Sequence, residues 1–360
     1  MVCPQDGRSA AAGPRRRFIA GSALAGLMTV VFLLWIVFHF AGPRVTDGVD
    51  DIGELVAALI SAGVCGLAAR RTSHGRTSWA LLAASSLAWG VGEALWTYYD
   101  LVNGIQVPFP SLADAGFLTA VPLACAGLLL FPQARQRATH LVQSLLDACI
   151  VTTALLFASW TTILGPLYRS HQGDLLKQVI SLAYPVSDVV MVSLVIILMT
   201  RTGRCGWTSL GLVMAGVVCF AVADSAFSYM TEVNNYGSGT FLDTGWVAGY
   251  LLIGLGALWT ITSPSSQIER TETSTVSLVA PYAPVLVVLA VTSVQLLCGR
   301  HIEPVSWVMA FALVVLVLGR ELLRLWDQAV ASRPGSETVQ PAVGAMGLHD
   351  PGADVDPVRL

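Results

Sequence analysis

Ten stretches of mostly apolar residues, each close to the length of a bilayer crossing, leave this chain few ways to fold. They lie near residues 18–40, 52–69, 78–98, 113–132, 141–165, 178–200, 207–230, 242–262, 277–298 and 304–326. At 1.5 Å per residue, about 20 helical residues cross a hydrocarbon core about 30 Å thick. Hydrocarbon offers no water to backbone N–H and C=O groups. A helix satisfies those groups internally, so helices are the spanning form that such runs predict. Only 12% of the residues are charged and 54% are hydrophobic, whereas soluble domains run nearer a quarter charged. The expected fold is an all-α, polytopic helical bundle with about ten transmembrane helices, embedded in the lipid bilayer of the plasma membrane.

The basic residues orient these spans. With the N-terminus inside, sixteen of the 20 Lys and Arg fall in inner segments, among them Arg15, Arg16, Arg17, Arg70, Arg71, Arg76, Arg135, Arg137, Arg201, Arg204, Arg320 and Arg324. Outer segments hold only Arg44, Arg169, Lys177 and Arg300. Inner loops collect Lys and Arg, so both termini are expected in the cytoplasm. Residues 1–14 read as a disordered cytoplasmic N-terminus, 15–330 as the membrane domain, and 331–360, rich in Pro, Gly and Asp, as a disordered cytoplasmic tail. Arg15-Arg16-Arg17 ahead of an apolar run also suits a twin-arginine export signal. The run is longer than a signal's apolar region, and no small-x-small cleavage site follows it, so an uncleaved first helix is the expectation.

Several function classes find no support. The seven cysteines form no CxxC pair, and most sit inside apolar runs, where Cys behaves as a small hydrophobe. No HxxxH or HExxH pairing, GxSxG elbow or phosphate-cradling glycine loop is present, so no catalytic residues, metal or cofactor are expected. Basic residues are scattered rather than striped, which argues against nucleic acid.

A stretch from Trp89 to Pro132 recurs more weakly roughly 130 residues on, from Cys219 to Thr262. Asp224 then falls opposite Glu93, Phe227 opposite Trp96, and Asp243 opposite Asp114. Tandem helical hairpins, with 78–200 echoed by 207–326, account for this, and both copies keep one orientation. The spacing Gly245-x3-Gly249, with Gly254 and Gly256 beyond, predicts close helix packing.

Acids inside spans are costly, face the bundle interior and often mark function. Glu93, Asp147, Asp188 and Asp224 lie within predicted spans. Asp114, Asp243 and Glu303 lie at outer ends, where capping of free N–H groups competes with a ligand role. Pro122 and Pro185 break helical hydrogen bonds and can open polar pockets or merely kink a helix. The candidate ligand-binding set is Glu93, Trp96, Asp114, Asp147, Asp188, Asp224 and Asp243. For Trp89, Trp96, Tyr98, Tyr99, Tyr229 and Trp246, a place in the interfacial aromatic belt competes with a place in an acid-lined cavity.

The pattern Trp89, Gly92, Glu93, Trp96, Tyr98, followed by Pro110, Ser111, Ala113, Asp114, Phe117, Leu118 and Pro122, resembles a known membrane region. So do Leu146-Asp147-Ala148 and Ala183-Tyr184-Pro185 with Asp188. Together they resemble the multi-helix sensory region at the head of actinobacterial GGDEF/EAL cyclic-di-GMP signalling proteins, over roughly 78–326. The resemblance implies a sensory module that acts through a cytoplasmic or membrane signalling partner. It departs from that family after the last span, where Pro334-Gly335 follows and no GGDEF-like or EAL-like run appears, so no cyclic-di-GMP enzyme activity is expected. A small-solute transporter using intramembrane carboxylates is the competing expectation, and a membrane enzyme acting on lipids is the weakest.

Overall fold

The computed structural model describes residues 12–73, 75–105, 107–131, 138–170, 175–201, 207–232, 238–263, 283–297, 299 and 303–331. The tails expected at 1–14 and 331–360 lie almost wholly outside them. Among the described residues there is no strand. The helices are α1 (Ala12–Phe38), α2 (Pro43–Arg71), α3 (Arg76–Thr97), α4 (Leu112–Leu129), α5 (Ala138–Ser159), α6 (Leu175–Arg201), α7 (Trp207–Glu232), α8 (Thr244–Thr262), α9 (Ala283–Leu297) and α10 (Pro304–Ala331). α3 runs on through a π-helical turn at Tyr98–Val102, and α5 through another at Trp160–Leu164 into Gly165–Ser170.

α1, α2, α4, α6, α7 and α8 are long and apolar enough to cross a membrane, and α5 and α9 contain shorter apolar stretches. Large apolar side chains stand exposed along the outer helices. Leu24, Leu27 and Val31 on α1 and Val308, Phe311 and Val315 on α10 are more than half exposed. Water would penalise such a surface at about 25 cal/mol per Å2, whereas lipid accepts it. The chain is a membrane-embedded helical bundle.

Six helices close a ring. α2 packs on α3, α3 on α4, α4 on α6, α6 on α7, α7 on α8, and α8 back on α2. α1 lies outside against α8 and α2. α5 lies outside against α6 and carries α9 and α10, with Ile150, Ala154, Phe157, Val288 and Leu313 as their shared core. α5 and α10 are tied at both ends. Arg320 Nε donates to Asp147 Oδ1 at 2.5 Å and Gln143 donates to Asp327 at 2.8 Å. At the other end Trp160 Nε1 donates to Glu303 Oε2 at 2.9 Å, and Arg169 pairs with Glu303.

Small residues set the ring's tightest crossings. A Cβ on Gly116 would stand 2.6 Å from the Gly92 Cα and 2.9 Å from the Ala88 carbonyl. Roughly 130 residues on, a Cβ on Gly245 would stand 2.9 Å from the Ala223 Cβ and 3.2 Å from the Cys219 carbonyl. Gly127 meets the Ser78 carbonyl as Gly256 meets that of Ser209, at 3.1 and 2.9 Å. The glycine spacing on α8 therefore serves close packing, as read from sequence.

α2 departs from expectation. It begins at Pro43, about two turns before the span expected at 52–69. Pro43 occupies the first helical turn, where its missing N–H costs nothing, and Gly42 turns the chain in with φ +88°. Asp47, Asp50 and Asp51, which precede the expected span, thus become helical residues in the second and third turns of α2.

Candidate ligand cavity at the centre of the ring

A cavity of about 150 Å3 sits inside the ring and draws side chains from all six helices. α2 supplies Asp50, Asp51 and Glu54, α3 supplies Glu93, α4 Asp114, α6 Asp188, and α7 Asp224. Among the described residues that line it, none is Lys, Arg or His. Aromatic rings form much of the remaining wall. Trp89 lies tilted against Phe117 and Tyr250 at 5.1 and 4.9 Å between centroids, and Tyr250 meets Phe220 edge-on at 4.7 Å. Trp96, Phe227 and Trp246 complete it, with Trp246 edge-on to Phe227 at 5.9 Å.

The acids are held by the local structure. Ser111 and Asp114 form a capping box at the start of α4, and Asp114 Oδ2 accepts the Ser111 N–H at 2.6 Å. Its other oxygen accepts the Tyr184 hydroxyl at 2.5 Å, which ties α4 to α6. At the start of α8, Asp243 Oδ2 accepts the Thr240 N–H at 2.6 Å in the same way. Asp224 Oδ1 accepts the Trp246 indole N–H at 2.6 Å. Asp50 Oδ2 accepts the Gly239 N–H at 2.6 Å, where φ is +84°.

Carboxyls also meet carboxyls. Glu54 reaches Glu93 between α2 and α3, Asp188 reaches Asp224 between α6 and α7, and Asp50 reaches Asp243 between α2 and α8. Away from water, two such groups need a shared proton or a cation between them. Among the described residues, three buried carboxyl oxygens accept from no N–H or O–H donor: Asp50 Oδ1, Asp51 Oδ2 and Asp188 Oδ2. Oxygens of Asp50, Glu54 and Asp243 lie within 4.8 Å of one another, a spacing that suits a hard cation. Both Asp243 oxygens and one Asp50 oxygen are already committed to the loop at 239–240, so few remain for the six to eight ligands that Ca2+ takes.

The lining comes in matched positions roughly 130 residues apart. Leu82 and Val213, Trp89 and Phe220, Glu93 and Asp224, Trp96 and Phe227 correspond on α3 and α7. Phe117 and Trp246, and Ala124 and Ile253, correspond on α4 and α8, as do Phe109 and Ser238 in the loops before them. On α2 and α6, Asp50 corresponds to Tyr184 and Glu54 to Asp188. The contacts correspond too: Asp50 reaches Asp243 as Tyr184 reaches Asp114, and Glu54 reaches Glu93 as Asp188 reaches Asp224.

Of the seven residues read from sequence, Glu93, Trp96, Asp114, Asp188 and Asp224 line the cavity together. Asp243 stands just behind, buried against Asp50. Asp147 does not join them; it lies on α5 and faces Arg320 of α10. Capping and cavity lining are not alternatives for Asp114, which does both. Trp89, Trp96 and Trp246 line the cavity, whereas Tyr98 is half exposed, and the Tyr229 side chain lies outside the described residues. Sequence reading missed Asp50 and Asp51 and did not place Glu54 in the site. The signal was available in Asp50 and Glu54, four apart and so on one helical face, behind a helix-starting proline. No known protein family, curated protein or solved structure matches this chain.

Proposed function

We propose that this chain is the ligand-binding membrane module of a sensor, taking a small ligand into the ring cavity and passing its occupancy to a partner through α5 and α10. The observation that carries this reading is the cavity's one-sidedness. Asp50, Asp51, Glu93 and Asp114 lie toward the helix ends at Pro43, Thr97 and Leu112, with Asp188 at the middle of α6. At the cavity's other end Leu82, Ala124, Val213, Val217 and Ile253 belong to a packed apolar cluster with Cys65, Trp79, Leu128 and Leu210. A closed floor suits a receptor, whereas a carrier needs a site reachable from both sides. The ties between α5 and α10 couple the ring, through α6, to a helix that continues past Arg320 and Arg324 to Ala331. The resemblance to sensory regions of cyclic-di-GMP proteins points the same way.

On this reading the arginine-bearing helix ends face the cytoplasm, the acid-bearing ends face outward, and the membrane is the plasma membrane. The two halves of the ring, α2–α4 and α6–α8, are copies from an internal duplication. Such copies in one orientation also occur in transporters, and with the intramembrane carboxylates they favour solute transport as the second reading.

Accessibility separates the two readings without knowledge of the ligand. Single cysteines at Phe109, Ser187, Val213 and Ile253, in a background without native cysteines, are exposed to a membrane-impermeant maleimide from either side of oriented vesicles. A sensor predicts labelling of the upper positions, Phe109→Cys and Ser187→Cys, from the outer side alone. Labelling of Val213→Cys or Ile253→Cys from the cytoplasmic side would replace the sensor with a carrier.

A further inference from the structure

We infer that the cavity is a receptor site for a small organic ammonium ion, its charged head held between Asp50, Asp51 and Glu54 and its apolar body against Trp89 and Tyr250. The inference rests on the ligand-binding reading above and names the chemistry of its ligand.

The duplicated architecture supplies an internal comparison. On one side, Tyr184 donates its hydroxyl to Asp114 at 2.5 Å, so that buried acid is satisfied by a neutral donor. At the matching place on the other side stands Asp50, facing Asp243. Ionised, Asp50 cannot donate as the phenol does, so its contact with Asp243 needs a shared proton or a cation. Asp50 Oδ1 accepts from no N–H or O–H donor, although the residue is only 2% exposed. Asp51 beside it, also 2% exposed, has an unpartnered Oδ2. Both residues line the cavity. Buried polar atoms without partners are rare and costly; two of the three carboxyl oxygens of this kind stand on the side where an acid replaces a tyrosine, and the third, Asp188 Oδ2, belongs to the Asp188–Asp224 pair.

A cation would complete these acids where a shared proton does not, and among the described residues every titratable side chain lining the cavity is an acid or a tyrosine. The cation's size follows from the cavity: an engineered apolar cavity of about 150 Å3 accepts benzene. Its remaining character follows from the wall. Trp89 and Tyr250 lie tilted against each other, Phe117 and Phe220 extend the aromatic surface, and Trp96 stands nearby. Aromatic faces attract cations, and cages of such rings beside carboxylates suit alkylammonium groups. A bare divalent metal fits less well, because Asp243 and half of Asp50 are engaged by backbone and hydroxyl groups, and aromatic rings supply no oxygen ligands.

The test uses the full chain purified in detergent, with tetramethylammonium chloride as probe. Sodium chloride is the salt control, tert-butanol the neutral shape match, and magnesium and calcium chloride the metal arms. Thermal stability and tryptophan fluorescence are read together, since Trp89, Trp96 and Trp246 line the site. Saturable stabilisation by tetramethylammonium alone is expected. Asp50→Asn should weaken it by about tenfold or more, as loss of a charge-assisted contact does. Asp50→Tyr recreates the arrangement of the other half, so it should fold and lose the response. If tert-butanol matches tetramethylammonium, if either metal alone gives the Asp50-dependent response, or if Asp50→Tyr binds like the native chain, the ammonium assignment is overturned. One-sided cysteine labelling together with any of these results would discard the ligand class while leaving the sensor reading standing. Ammonium binding with two-sided labelling would do the reverse.

Discussion

The hydrogen bond from Trp246 to Asp224 is the sharpest energetic test of the ring. It crosses from α8 to α7 at 2.6 Å, and the indole that makes it is 8% exposed. Interhelical hydrogen bonds inside membranes contribute about 0.6–2 kcal/mol. Truncating the acceptor does more than remove that bond, because the buried indole N–H is then stranded, a cost of about 1–3 kcal/mol. Asp224→Leu should therefore lower stability by about 1–3 kcal/mol. Asp224→Asn keeps an acceptor for the indole and should cost less than about 1 kcal/mol. In Trp246→Phe the carboxyl loses its donor, so the double variant should recover part of the sum. A double-mutant cycle on unfolding in mixed micelles should give a coupling of about 1–2 kcal/mol, a five- to thirtyfold change in the folded ratio. Strict additivity, within about 0.3 kcal/mol, would show that the bond contributes nothing and that Asp224 is held by something else.

Three further outcomes follow from the packing. Gly116→Ala pushes a methyl group onto the α3 backbone, which cannot swing aside, and should cost about 1–3 kcal/mol by the same unfolding assay. Gly63→Ala, whose added Cβ meets nothing within 4 Å, should be neutral or slightly stabilising, so equal effects at the two sites would refute the crossing. Asp147→Leu leaves Arg320 with Glu321 as its nearer acid and should cost about 1–2 kcal/mol, below the figure for a fully buried pair because the Asp147 side chain is 34% exposed. Asp147→Leu combined with Arg320→Leu should restore much of that loss in the thermal midpoint, and no recovery would mean that the pair does not hold α5 to α10.

Much of this architecture was legible because a bilayer restricts what a chain can do. Runs of about 20 apolar residues had to be helices, and each of the ten runs meets a helix. Spacing also located five members of the cavity, since acids inside apolar helices turn toward the interior when no lipid can solvate them. Asp147 obeys the same rule and still falls elsewhere. Its interior is the seam between α5 and α10, where Arg320 waits far along the chain. Hydropathy reports that an acid is hidden, not which neighbours hide it. The N-terminal end of α2 was illegible for the opposite reason. Thr46-Asp47-Gly48-Val49-Asp50-Asp51 is too polar to read as a span. Those residues are helical because the ring gives them a polar interior to face, an environment that exists only after the other five helices have closed.

If the ring's halves are copies, the space between them is lined by both copies of the same positions, and any pocket there begins with matched walls. Matched walls alone need no ligand, since a pair such as Tyr184 and Asp114 satisfies itself. Function has room where the copies differ. α6 supplies Tyr184 and α2 supplies Asp50; α8 supplies Trp246, a donor to Asp224, whereas α4 supplies Phe117, which has none to offer Glu93. Both differences run in one direction. α6 and α8 bring neutral donors, Tyr184 for Asp114 and Trp246 for Asp224. α2 and α4 bring no side-chain donor at the matching places, and unpartnered carboxyl oxygens stand at Asp50 and Asp51 on α2 and at Asp188 on α6. The asymmetry between the halves is therefore one of donors rather than of acids, since both bring carboxyls to the cavity.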